Sequence, residues 1–118
     1  MGIRVAVASS DGIVVNMHFG QADHFYIYDE IRDRVFVRKD NREVIPMCSE
    51  WNHDEADLVS TANMLSDCDC VLVSKIGREA DLVLRCRNIQ TFLITDYIES
   101  ALITLTNHLR ENENKIQA

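Results

Sequence analysis

The 118-residue sequence predicts an α/β fold: a three-layer sandwich on a five-stranded mixed sheet, with strand order 3-2-1-4-5 and strand 2 antiparallel. Three observations lead there. Two runs of aromatic and β-branched residues, Phe25–Tyr28 and Val35–Val37, flank a short polar segment and read as a hairpin. After them, segments of helical and strand character alternate to the end of the chain, as in βαβ units. Cys70–Val73 is a short unbroken apolar run, the mark of a strand covered on both faces.

In chain order, Ile3, Val5 and Val7 alternate with Arg4, Ala6 and Ala8 and form the first strand, with the larger side chains as its core positions. Ser9 to Asp23 is a loop of unusual length for a small domain. Its apolar Ile13, Val14 and Val15 argue that it is ordered. The hairpin follows, with Asp29 to Arg34 as its polar turn, and then an irregular stretch from Asp40 to His53 holding the single proline. A helix begins near Asn52 or Asp54 and places Leu58, Ala62 and Leu65 on one face. The buried strand, a helix over 78–87 with Ala80, Val83 and Leu84 inward, and a strand over 89–94 come next. Thr95 or Asp96 caps a last helix carrying Ile98, Ala101, Leu102, Leu105 and Leu109 as its stripe. Residues 1–110 form one domain, and 111–118 a polar C-terminal tail that frays.

Right-handed crossovers favour that strand order. With strand 2 running opposite to strands 1 and 3, the loops after strands 1 and 3 leave one edge of the sheet, where open α/β sheets bind ligands. His18 and Cys48 can meet there despite thirty intervening positions.

The formal charge of −7 argues against a general nucleic-acid binder, whose phosphate contacts need a basic surface. The N-terminus has no signal-peptide pattern and no apolar run approaches the ~20 residues of a membrane span, so no membrane association and a cytoplasmic location are expected. Four cysteines in such a chain are reduced thiols rather than a disulfide framework.

Asn16, His18, Phe19, Gly20 and Gln21 lie together in the long loop. Imidazole is a common metal ligand, and a glycine beside an aromatic lets main chain approach a bound group while the ring walls it. A lone loop histidine is more often a bland surface residue, so its surroundings decide. His18, Cys48 and His53 are the candidate metal ligands, an incomplete set that suits a docked cluster better than a closed zinc site. Cys68 and Cys70 form a C-x-C pair pointing to one face, read as core rather than ligands; Cys86 is also read as structural. His24 is read as an exposed strand-edge residue. Lys75, Gly77 and Arg78 open the second helix, where an anion is favoured, although a solvated basic turn fits equally. Asp11 and Asp96 fall near the same edge, but nothing forms a nuclease-like set of carboxylates, and a non-enzyme is expected.

The run Val5–Gly12, Val15-Asn16-Met17-His18-Phe19-Gly20-Gln21-Ala22 and Phe25–Tyr28, with Asp67–Val73 and Ile76-Gly77, resembles the dinitrogenase iron–molybdenum cofactor biosynthesis family over about residues 3–109. That family includes NifX-type carriers and the small C-terminal domain of NifB. The resemblance implies a ribonuclease H-like arrangement and makes His18 the foremost cluster ligand. It implies a non-catalytic carrier that binds iron–molybdenum cofactor or its iron–sulfur precursor, between cluster donor and acceptor proteins. The alternative is an interaction or regulatory domain of the same fold that binds no cluster.

Overall fold

The computed structural model of the chain describes residues 2–44 and 55–117. Five strands, β1 (Arg4–Ala8), β2 (His24–Arg32), β3 (Val35–Glu43), β4 (Cys70–Val73) and β5 (Gln90–Leu93), form one sheet. Three helices, α1 (Glu55–Met64), α2 (Arg78–Cys86) and α3 (Ile98–Gln117), complete the fold. The strand order is β3-β2-β1-β4-β5, as expected. β2 is antiparallel to β1 and β3, whereas β4 pairs parallel to β1 and β5 parallel to β4. β1, β3, β4 and β5 therefore all end on one edge.

β1 is the middle strand, and Val5 to Ala8 are all inaccessible to solvent. Its alternation is not inside against outside but one core against another. Ala6 and Ala8 join Phe25, Ile27, Val71 and Val73 under α1 and α2. Val5 and Val7 join Cys70 and Leu72 under α3. The expectation that only the larger β1 side chains are core is thus corrected: the small alanines admit helices on the second face. α3 presents Ile98, Ala101, Leu102 and Leu105 to the sheet at helical spacing. In α2, Leu84 is buried with Ala80 and Val83 packed beside it. Beyond the Arg87 cap of that helix, Asn88 takes a left-handed φ of 61° while the Ile89 N–H donates to the carbonyl of Leu84.

Several element ends differ from the sequence reading. β3 continues through Asp40, expected to open an irregular stretch, as far as Glu43, because it pairs with β2 along that whole length. β2 runs to Arg32, so the turn is only Asp33-Arg34 rather than 29–34. The reason is Glu30, whose side chain turns inward and is 1% exposed. Its carboxylate accepts from the N–H of Arg34 at 2.8 Å and from the Arg110 guanidinium at 3.0 Å. α3 starts at Ile98, so neither Thr95 nor Asp96 is its cap; Asp96 Oδ1 accepts the N–H of Tyr97 instead. The polar segment after residue 110 continues helically as far as Gln117.

A charge network ties the turn after α1 to the sheet. Arg42 donates to both oxygens of Asp67 at 2.7 Å and to the carbonyl of Met64. Arg4 bridges Asp29 and Asp67. The Arg42 guanidinium first, then that of Arg4, hold the Asp67 carboxyl well below the usual range against partial desolvation. None of the helices among the described residues is long and apolar enough to cross a membrane.

Candidate functional site

The loop after β1 is built from its own polar side chains. Ser9 Oγ accepts from the N–H of Gly12, and Asp11 Oδ1 accepts from those of Ile13 and Val14 at 2.9 and 3.1 Å. Those amide donors lower the Asp11 pKa, and the carboxylate is thereby committed to shaping the turn. Gly12 has φ +74°, a conformation that side chains resist. Asn16 closes the next turn by exchanging two hydrogen bonds with Ser10.

Backbone contacts then fasten the loop to the ends of β4 and β5. The Val15 N–H donates to Asp96, and that of Ile98 to Ile13. The Ser74 N–H donates to Met17 at 3.0 Å, and the Phe19 N–H donates to Lys75 at 2.8 Å. His18 and Lys75 thereby pair in parallel, as if β1 resumed beside β4 after its excursion. Paired strands lie about 4.8 Å apart, so the two residues are immediate neighbours. Phe19 dives inward, 1% exposed, with its ring centroid 5.5 Å from that of Phe25. Gly20 and Gln21 complete a single 3-10 turn, in which the Gln21 N–H donates to His18.

The result is an exposed imidazole at His18 beside an exposed ammonium at Lys75, two residues before Gly77 at the N-cap of α2. No side chain caps that helix, so its first amides face outward with their partial positive charge. A Cβ at Gly77 would meet nothing within 4 Å, so internal packing does not require a glycine there. Arg78 is exposed in the first turn, as is Glu79, whereas Asp81 is tied to Thr91 and Arg85.

Of the sequence-predicted residues, His18, Gln21, Lys75, Gly77 and Arg78 are exposed. Asn16 and Phe19 support the loop, one through its hydrogen bonds to Ser10 and the other through the core. Cys48 and His53 lie outside the described residues. Among the described residues no three His, Cys, Asp or Glu side chains come together as a metal set.

The remaining candidates separate clearly. Cys68 and Cys70 are buried, but on opposite faces of the sheet, in the α1–α2 core and the α3 core respectively. The expected shared face is corrected: β4 begins at Cys70, and Cys68 lies two residues before it, outside strand alternation. Burial pushes both thiols up to about 12. Cys86, expected to be structural, is exposed. His24, expected to be an exposed strand-edge residue, opens β2 but is half-buried. Its Nδ1 is shielded from solvent with no hydrogen-bond partner among the described residues.

One feature escaped the sequence reading. Arg38 lies over the ring of Tyr26 at 4.5 Å, donates to the Tyr28 hydroxyl and caps the carbonyl of Gly12. Only the alternation of aromatics on β2 hinted at it. A groove of about 780 Å³ beside Arg38 runs between the hairpin and α3, and none of His18, Lys75 and Gly77 lines it.

Comparison with known proteins places this architecture. The model of the dinitrogenase iron–molybdenum cofactor family matches residues 1–108. The FeMo cofactor biosynthesis protein NifB of Frankia alni is 37% identical over 103 residues, covering 85% of this chain and 20% of that protein. NifB of Chlorobaculum tepidum is 35% identical over 101 residues, 83% of this chain and 22% of its own. The chain thus spans about a fifth of the length of these relatives. The crystal structure of PH0822 superposes with a TM-score of 0.63 at 21% identity, covering 90% of each chain. The solution structure of a Thermotoga protein proposed to be NifB gives 0.60 at 16% identity, covering 89% of this chain and 88% of that one. At those identities the two structures support the fold alone, but the family match spans nearly all of the sequence: the chain belongs to the dinitrogenase iron–molybdenum cofactor family.

Proposed function

We propose that this chain is a non-catalytic carrier that takes an iron–sulfur-type metallocluster, the iron–molybdenum cofactor or its precursor, as cargo. It passes the cluster from a donor protein to an acceptor protein in the cytoplasm. The observation that carries this reading is the parallel pairing of His18 with Lys75 at the edge where β1 and β4 end. An imidazole suits cluster iron, and an ammonium beside an uncapped helix N-terminus suits the negative charge of a cluster. Gly77, Arg78 and Gln21 complete the polar surround. Cys48 and His53, in the segment that follows β3, are the further ligands proposed. Ligation at few points favours release to an acceptor, since each metal bond adds to the barrier for departure.

Asp11 and Asp96 support the non-catalytic part of the reading, because each carboxylate is occupied by backbone amides. The test is anaerobic titration of the chain with extracted iron–molybdenum cofactor and, separately, with simple iron–sulfur clusters, followed by absorbance and electron paramagnetic resonance. A saturable change that weakens in Lys75→Gln supports the carrier. No binding of any cluster refutes it.

A further inference from the structure

We propose that the groove between the β2–β3 hairpin and the first turns of α3 is a self-association surface, closed by a second copy of this chain across a two-fold axis. In that arrangement Arg38 of each copy meets Glu99 of the other. The inference stands apart from the cluster site, whose described residues do not line the groove.

Exposed apolar side chains are ordinarily scattered over a surface. Here four of the nine large ones among the described residues line this single groove: Ile13 at 59% exposed, Val35 at 45%, Tyr97 at 63% and Ile103 at 37%. They are brought there by three separate segments, the loop after β1, the start of β3 and the start of α3. Such a concentration marks an interaction surface.

The charges in the groove select the occupant. Arg38 is held rigidly, over Tyr26 and Tyr28 at 4.5 and 5.5 Å, yet its hydrogen bonds go only to neutral oxygens, the Tyr28 hydroxyl and the Gly12 carbonyl. The positive φ of Gly12 and its missing side chain make this possible, since a Cβ there would stand 2.9 Å from Arg38 Nη2. Glu99 lines the same groove in the first turn of α3 and has no hydrogen bond or ion pair among the described residues. One groove thus holds a fixed cation without a carboxylate and a carboxylate without a cation. A two-fold interface needs that self-complementarity, because each contact between residues i and j occurs twice. An acidic segment of another protein would satisfy Arg38 but would set like charge against Glu99. Charged Arg38, Lys39, Asp40, Arg42 and Glu43 along the open β3 edge disfavour strand-to-strand pairing, which leaves the groove itself as the contact.

Sedimentation equilibrium of the full chain, from micromolar to millimolar concentration, tests the proposal. A reversible monomer–dimer equilibrium is expected. Arg38→Glu and Glu99→Arg should each weaken it at least tenfold, and an equimolar mixture of the two variants should restore dimer, because both cross-pairs are then opposite in sign. Tyr97→Asp should weaken it without altering either charge partner, and it carries the test with Glu99→Arg if Arg38→Glu does not fold. A chain that stays monomeric overturns the proposal and leaves the groove to another protein. A dimer indifferent to Glu99→Arg and Tyr97→Asp overturns it equally, as does a mixture that fails to re-form dimer.

Discussion

Two adjacent residues of the loop after β1 should respond to alanine in opposite ways. Phe19 is 1% exposed, packed on Phe25 and among Ala8, Ala22 and Val73 in the α1–α2 core, whereas His18 is exposed. Removing a buried phenylalanine ring loses its transfer free energy and leaves a cavity, about 3–5 kcal/mol together. The ring contact with Phe25, centroids 5.5 Å apart and tilted by 52°, favours the upper half of that range. Against a total stability of about 5–15 kcal/mol, this is roughly a quarter or more of the whole. In a chain of this size it lowers Tm by roughly 10–25 °C. His18→Ala keeps the backbone pairing with Lys75 and removes only solvated atoms, so it should cost within about 0.5 kcal/mol. Thermal denaturation of both variants, followed by circular dichroism, makes the comparison. A Phe19→Ala cost below about 1 kcal/mol would refute the anchored loop. Equal costs at the two positions would show that His18 is structural.

Cys86 should react quickly with iodoacetamide in the native protein while Cys68 and Cys70 react only on unfolding, since both are buried with thiols near 12; rapid labelling of the pair would contradict that burial. Asp29, Glu30 and Asp67 all ionise below the usual carboxylate range. Arg4 lowers Asp29 and Arg42 lowers Asp67, while for Glu30 burial acts upward and is outweighed by the Arg34 amide and the Arg110 guanidinium. With folded pKa values below the unfolded ones of about 4, their stabilisation is complete above that pH and lost as pH falls through the folded values. Tm should therefore hold near neutrality and decline below about pH 4; a Tm unchanged down to pH 2 would show that the pairs contribute nothing. Gly12→Ala should lower stability by at least about 1 kcal/mol through its left-handed backbone, measured in urea, and more as Arg38 is displaced; a neutral effect would contradict the φ of +74°.

The strand order was legible because a hairpin followed by alternating helix and strand leaves few right-handed arrangements, and because Cys70–Val73 carries the two-sided burial of a central strand in four consecutive apolar residues. The length of the hairpin was not. Asp29, Glu30 and Arg32 on β2, and most of β3 beyond Val37, are charged residues on an edge ribbon, where propensity reads as turn. Glu30 stays in the strand with its carboxylate buried because the Arg34 amide and Arg110, eighty positions later, both donate to it. The opposite placement of Cys68 and Cys70 turns on where β4 begins, and a one-residue boundary decides a face. At the candidate site, the residue types at His18, Lys75 and Gly77 could be picked out separately. Their juxtaposition could not, because it rests on main-chain bonds between Met17, Phe19, Ser74 and Lys75, which leave no trace in side-chain pattern.

The most direct test of the central claim is the affinity of His18→Ala for extracted iron–molybdenum cofactor, measured anaerobically beside the unmodified chain. The account predicts a variant that folds normally and binds at least about tenfold more weakly, or about 1.4 kcal/mol. A normally folded variant with unchanged affinity for every cluster tried would contradict it.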